Sequence, residues 1–209
     1  MKAIVYTEFG PPEVLHGAEM PKPAPKDNEV LIRVRATPVA YGDLVARNMK
    51  NITAHEFNMA LPLLLATRMY FGFSKPKINI LGSEFAGEVE IVGRAVKRFK
   101  VGDQVFGYSG QRMGAYAEYI CMPEHGSLDL MPVNMTYAQA AAVPYGALMA
   151  TNLLRKANIQ AGHQVLINGA SGGIGSAAVQ LAKHYGAEVT GICGAPRLEY
   201  VKSLGADQV

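Results

Sequence analysis

The sequence predicts a mixed α/β protein, a barrel-like β-domain followed by a parallel α/β unit of the dinucleotide-binding type. Three observations carry this expectation. The run Val165-Leu166-Ile167-Asn168 breaks into Gly169-Ala170-Ser171-Gly172-Gly173-Ile174-Gly175 and passes at once into a helical pattern. This is a strand–turn–helix opening, whose Gly-x-x-Gly-x-x-Gly turn lets backbone approach a pyrophosphate at a helix N-terminus. Before it, residues 1–125 hold many short alternating runs bounded by Gly and Pro, the pattern of a β-barrel or sandwich. From Thr136 onward the apolar period becomes helical and then alternates strand with helix. A bare glycine pattern is weak, and a glycine-rich loop in some other α/β protein is its plain alternative. The flanking strand and helix strengthen it.

In chain order, Ala3-Ile4-Val5-Tyr6 reads as a strand before the turn at Gly10-Pro11-Pro12. A proline-rich connector over residues 21–25 leads to Glu29-Val30-Leu31-Ile32-Arg33-Val34-Arg35, whose alternation suits a half-buried strand. Residues 57–73 read as helical or irregular, either a flap over a pocket or a helix covering one end of the barrel. Glu88-Val89-Glu90-Ile91-Val92 alternates and ends at Gly93, and residues 102–107 and 115–120 are two more strand-like runs. Thr136-Tyr137-Ala138-Gln139 fits a capping box. A second helix spans residues 146–157, and the helix opened by the glycine turn runs to about Tyr185, where Gly186 is a stop signal. Residues 189–193 form the next strand and residues 197–204 the next helix. Strand–helix–strand order makes the two strands parallel, with a right-handed crossover. The expected domains are residues 1–125 and 126–209.

Composition narrows the function classes. Apolar content of 49% with 18% charged residues excludes a disordered chain. A formal net charge of +3, spread without runs of Lys or Arg, argues against nucleic acid or a membrane as partner. The most apolar window, residues 59–66, is short and contains Pro62, so it cannot span a bilayer. The N-terminus shows no signal-peptide pattern, and two distant cysteines make no disulfide scaffold. A reducing, cytoplasmic setting is expected.

Gly82-Ser83-Glu84-Phe85-Ala86-Gly87-Glu88-Val89, Val92-Gly93, Val101-Gly102-Asp103-Gln104-Val105, Ala141-Ala142-Val143-Pro144, the glycine turn and Leu204-Gly205-Ala206-Asp207 occur in that order. The succession resembles the medium-chain dehydrogenase/reductase superfamily and, within it, the zinc-independent quinone oxidoreductase branch. The resemblance covers essentially the whole chain. It implies an N-terminal GroES-like β-barrel catalytic domain joined to a Rossmann cofactor domain, with the active site in the cleft between them. It also implies a sheet of about six strands and a C-terminal segment that returns to the catalytic domain. Two strands are present here, with Gln208-Val209 placed to begin a third. The expectation is a truncated product or a fragment of a longer enzyme, homodimeric in its full-length form.

Zinc-dependent relatives hold a catalytic zinc with Cys, His and a second Cys or carboxylate. Here the first position falls in residues 39–43, which contain no cysteine, and the Gly-His-Glu triplet reads Gly82-Ser83-Glu84. Residues 93–114 carry no cysteines for a structural site. No metal is expected. An unactivated alcohol benefits from a Lewis acid; a quinone or conjugated enone accepts hydride readily, so the missing ligands favour reduction of an activated acceptor.

NAD-specific sites place Asp or Glu at the end of the second strand. That strand end reads Gly191-Ile192-Cys193-Gly194-Ala195-Pro196-Arg197, without a carboxylate, and Glu188 sits at the other end. Arg197 reads equally as a 2′-phosphate partner or as a solvated first-turn residue. NADPH is the expected cofactor, bound by residues 169–175 with Cys193 and Arg197.

By the resemblance, residues 39–43 lie under the nicotinamide. Relatives often have Asn-Pro-x-Asp there, where this chain has Ala40-Tyr41-Gly42-Asp43. Tyr41 and Asp43 are the candidate catalytic residues, Tyr41 as hydroxyl donor to the substrate oxygen. Packing is the plain reading for Tyr41, and a structural pairing for Asp43. A Thr-Ala pair common after the proline of the following helix is here Met149-Ala150, and Tyr108 and Tyr116 are further aromatic candidates. The expected function is an NADPH-dependent, zinc-independent oxidoreductase that passes hydride to a quinone, enone or activated carbonyl. Its alternatives are a non-catalytic NADPH-sensing relative, a fragment that binds no cofactor, and alcohol dehydrogenase-like activity.

Overall fold

Val30, Leu31 and Ile32 are fully buried, so β3 (Glu29–Ala36) lies inside an antiparallel sheet that builds outward from it. The computed structural model describes residues 1–55 and 60–209; the first residues of the helical run expected at 57–73 lie outside them. The chain divides into two compact units, residues 1–142 and 143–209.

In the first unit, β4 (Glu84–Val92), β5 (Gln104–Tyr108), β6 (Tyr119–Pro123) and β7 (Ser127–Leu130) join β3 in the order β6–β3–β4–β5–β7, every pair antiparallel. Period-2 alternation sends Ile32, Phe85, Val89, Val105, Ile120, Met122 and Leu128 into one core. Register shifts at Leu31/Ile32 and Val34/Ala36 interrupt the β3–β4 ladder, as bulges that bend a sheet do. A separate ribbon pairs β1 (Lys2–Val5) with β2 (His16–Glu19). Helices α1 (Tyr41–Arg47) and α2 (Leu61–Phe71) contribute Ala46, Leu64 and Phe71 to a second core around Tyr6, Met49 and Leu81. The capping box forms as read. The Gln139 N–H donates to Thr136 Oγ1 (3.3 Å) and the Thr136 N–H to Gln139 Oε1 (2.9 Å), opening α3 (Tyr137–Ala141).

In the second unit, β8 (Gln164–Asn168) and β9 (Glu188–Ile192) pair in parallel through α5 (Gly173–His184), flanked by α4 (Pro144–Lys156) and α6 (Leu198–Ser203). Leu154, Val179, Ala182, Val189 and Val201 make its core. The Gly191 N–H donates to the Gln208 carbonyl (2.8 Å), and Thr190 pairs in parallel with Gln208. Gln208 thus forms a single parallel bridge beside β9. Asp207 ties this end down: it accepts from Lys183 Nζ (2.8 Å) and from the Val189 N–H (2.6 Å).

The expected mixed α/β class holds, with several differences in detail. Residues 115–118 are not part of β6. The Ala115 and Tyr116 N–H groups bond instead to the carbonyls of Gly82 and Leu81, so β6 begins at Tyr119. β4 starts at Glu84, four residues earlier than expected, where the run Glu84-Phe85-Ala86-Gly87 is buried on both faces and shows no alternation. The units divide at 142/143, against 125/126 in the sequence reading. β7 and α3 go with the first unit because Leu128 joins its main core and Ala140 and Ala141 pack with Ala86.

Glu124 is buried, and its Oε2 accepts from the N–H groups of Lys97 (2.8 Å) and Arg98 (3.0 Å), which hold its carboxyl below the usual carboxylate range. A depressed folded pKa contributes stability above the unfolded value, about 4.3 for Glu, and that contribution disappears as pH falls through the folded value. Glu124→Gln is expected to flatten part of the acid-side loss of stability, seen in urea midpoints measured from neutral pH downward.

Candidate functional site

The glycine turn is held by contacts that only backbone can make. A Cβ on Gly175 would lie 2.1 Å from the Gly169 carbonyl oxygen, and one on Gly146 would lie 2.6 Å from that of Gly173. Bare Cα atoms therefore let α4, α5 and the end of β8 close on one another. The N–H groups of Gly169 and Ala170 both donate to the Ile192 carbonyl (2.9 Å each), which fastens the turn to the end of β9. Gly172 precedes α5 and supplies no side-chain cap. Among the described residues, the first-turn N–H groups of Gly173, Ile174 and Gly175 have no acceptor. Gly172 and Gly173 are exposed, and nothing lies within 4 Å of a Cβ placed on Gly173. An open cradle of backbone donors at a helix N-terminus suits an anion, and its lack of side chains suits a pyrophosphate.

The end of β9 completes this region. Cys193 is half-buried and packs against the unit's core, and Arg197 is exposed where α6 begins. Among the described residues the Arg197 guanidinium has no carboxylate partner, while nearby Glu199 is paired with Lys202 (3.1 Å). Glu188 lies at the opposite end of the strand, within reach of Gln164 (3.3 Å). The carboxylate of Glu188 thus lies at the far end of β9 from the turn, and Arg197 follows the near end in sequence.

In the first unit, Asp43 is 2% exposed yet fully bonded. Its Oδ2 accepts from the Ala40 N–H (2.9 Å) and the Tyr116 hydroxyl (3.0 Å), and its Oδ1 from the Gly82 N–H (3.0 Å). Asp43 is the third residue of α1 and reaches back to cap the helix start, although Ala40 has no side-chain oxygen to reciprocate. Burial pushes its carboxyl above the ordinary range, and the three donors pull it back. Burial, and then the Asp43 charge, raise the Tyr6 hydroxyl to about 12 and the Tyr116 hydroxyl further still. The Tyr6 hydroxyl is buried without a partner among the described residues.

The structure brings Asp43, Tyr116 and Gly82 together across long sequence separations. No local pattern signals that cluster. Tyr41 stands apart from it, 68% exposed on the first turn of α1. Tyr108 ends β5, and on α4 Met149 is half-buried beside the buried Ala150. A largely apolar groove of about 920 Å³ follows the edge of β3 that β6 leaves unpaired, with Ile4, Leu15, Ala36, Val39 and Tyr116 among its walls.

An antiparallel sheet domain followed by a glycine-turn βαβ unit defines a dinucleotide-type oxidoreductase architecture. Residues 26–133 match the alcohol dehydrogenase GroES-like domain family, and residues 173–209 match the zinc-binding dehydrogenase family. The chain belongs to this alcohol dehydrogenase GroES-like family and falls in the quinone oxidoreductase-like branch of the medium-chain dehydrogenase/reductase superfamily. It is similar to quinone oxidoreductase of Sus scrofa, at 39% identity over 93% of this chain and 53% of that protein. It is also similar to the chloroplastic NADPH-dependent alkenal/one oxidoreductase of Arabidopsis thaliana, at 33% identity over 99% of this chain and 51% of that protein. The solved structure of Escherichia coli quinone oxidoreductase complexed with NADPH superposes with a TM-score of 0.79 at 29% identity, covering all of this chain and 58% of that one. The chain spans about half the length of these two curated relatives.

Two substitutions test the geometry. Asp43→Asn sets an amide donor against existing donors in either orientation, and is expected to cost about 1–3 kcal/mol of stability by urea denaturation. Gly175→Ala must open the turn, because its Cβ meets a backbone oxygen that has no rotamer to move into. A loss of about 1–3 kcal/mol is expected in the same measurement.

Proposed function

We propose that the chain binds NADPH at the glycine turn and serves hydride transfer to a quinone or conjugated enone without a metal. The observation that carries this reading is the uncapped start of α5, where three backbone N–H groups have no acceptor among the described residues and Gly172 and Gly173 are exposed. The NADPH named for two of the relatives supports the same choice.

The residues present fit such a cofactor. The N–H groups of residues 173–175 would hold the pyrophosphate, with the helix dipole adding to the attraction. Arg197, free of carboxylate partners among the described residues, would take the 2′-phosphate in a forked pair of hydrogen bonds. Ala170, within the turn, packs in the same core cluster as Cys193, which would sit beside the cofactor. When bound, the nicotinamide supplies the hydride. We assign Tyr41 to donate its hydroxyl hydrogen bond to the acceptor oxygen as charge gathers there. Asp43 holds the backbone before Tyr41 in place, a task consistent with its burial and saturated oxygens.

The metal-free reading rests on residue types: Ser83 occupies the place of a ligating histidine, and residues 39–43 offer no cysteine. A quinone or enone is already electron-poor, so orientation beside the hydride donor carries most of the catalysis. A cytoplasmic setting belongs to the same proposal, in keeping with two free cysteines.

Calorimetric titration of the purified chain with NADPH is expected to give binding tighter than about 1 mM, worth about −4 kcal/mol. Arg197→Ala is expected to weaken NADPH about tenfold and leave NADH unchanged. Consumption of NADPH in the presence of a quinone or enone tests the reaction itself. Binding without turnover would identify the non-catalytic alternative, and no binding would overturn the proposal.

A further inference from the structure

Tyr116 is held both at its backbone and at its ring. Its N–H donates to the Leu81 carbonyl (2.9 Å), and its own carbonyl accepts from the Ile4 N–H (2.8 Å). The ring packs over Gly82, where φ is +87° and a Cβ would fall 2.4 Å from Tyr116 Cδ1. The chain arrives here through a strained turn. Met113, three residues earlier, holds φ 55° and ψ −150°, a conformation that glycine enters freely and a residue with a side chain only under strain. Met113 is buried in the core around Tyr6, which holds the strained residue down. Such strain persists only where surrounding contacts over-determine it, and it gathers at functional sites.

What this placement delivers is the hydroxyl. Its one proton is shared between Asp43 Oδ2 (3.0 Å) and the Pro38 carbonyl (3.4 Å). A single group, 73 and 78 positions away in sequence, thus touches both ends of residues 38–43. Inside that segment the Ala40 N–H bonds Asp43 Oδ2 (2.9 Å), and the Asp43 N–H bonds the Ala40 carbonyl (3.0 Å). These two bonds close the turn that carries Tyr41, but a turn closed on itself is not yet aimed. Burial, and then the Asp43 charge, raise the Tyr116 pKa and keep its hydroxyl a donor. A phenylalanine ring would make the same contact with Gly82, so packing leaves the oxygen unexplained.

We propose that Tyr116 is a positioning residue for the hydride transfer, its hydroxyl aiming through Asp43 and Pro38 the turn that presents Tyr41 to the acceptor. The inference rests on the reading of Tyr41 as hydrogen-bond donor to the acceptor oxygen. Tyr116 acts through that turn, and its own proton stays on its oxygen throughout. A donor must stand where charge gathers in the transition state, and a misplacement of about 1 Å can lose about a hundredfold in rate. The loss therefore falls on kcat.

A double-mutant cycle in NADPH-dependent quinone reduction tests it. Tyr116→Phe is expected to lower kcat about tenfold. The KM for NADPH should stay unchanged, since the glycine turn belongs to the other unit. Once Tyr41→Phe has removed the donor, losing the Tyr116 hydroxyl as well should lower kcat less than about twofold further. Amide hydrogen exchange gives a readout that needs no turnover. Tyr116→Phe should speed exchange at Ala40 and Asp43 about fivefold and leave the glycine turn at parental rates. The proposal is overturned if the two losses of kcat multiply, if Tyr116→Phe keeps the parental kcat, or if the Ala40 and Asp43 amides keep their protection. A parent chain that binds NADPH but reduces no quinone or enone would refute the reading of Tyr41 instead. The exchange rates at Ala40 and Asp43 would then decide alone whether the Tyr116 hydroxyl holds the segment.

Discussion

The second unit hangs on one backbone contact, the bare Cα of Gly175 against the carbonyl of Gly169. That approach packs the start of α5 directly against the end of β8. The paired bonds from Gly169 and Ala170 to the Ile192 carbonyl then fix the turn against the end of β9. Gly172 and Gly173 are exposed, so an unpaired donor there costs little. A phosphate would offer such donors charge-assisted bonds, each about twice as strong as a neutral one. The same contact that closes the core thus shapes the proposed anion site. Packing and binding cannot be separated at this turn, since any side chain at Gly175 disturbs both.

A comparable economy governs the first unit at Asp43. A buried carboxylate is expensive, by several kcal/mol when unsupported. Three donors from residues 40, 82 and 116 compensate it and in doing so join three segments. The backbone that presents Tyr41 is therefore set by a group that itself faces no solvent. Tyr116 shares the work through its hydroxyl, and its ring lies where a Gly82 side chain would have to go: a Cβ there would fall 2.4 Å from Tyr116 Cδ1. Exposure divides the two candidate residues, with Asp43 inside the fold and Tyr41 at its surface.

Local signals made part of this legible in the sequence. The glycine turn, the capping box at Thr136 and the strand–helix–strand order are short-range patterns, and each forms close to where the residues place it. Features that depend on distant partners were not legible. β2 (His16–Glu19) has no apolar alternation and exists through its ladder to β1. Residues 115–118 alternate like a strand, but Leu81 and Gly82 claim the Ala115 and Tyr116 N–H groups. Asp43 stood out in the sequence only as a match to a family pattern. Its bonds to residues 39 and 73 positions away have no sequence-local trace.

The run at residues 61–73 was ambiguous in sequence between a lid and a cap, and the structure sharpens the question. Burying a Leu, Met or Phe side chain is worth about 1.5–3 kcal/mol. α2 and its end leave six large apolar side chains exposed, while the inward-turned Arg68 occupies a half-buried site where such a group could have packed. An arrangement that forgoes that much burial is costly for a chain surrounded by water alone. It becomes favourable once an apolar partner covers the face.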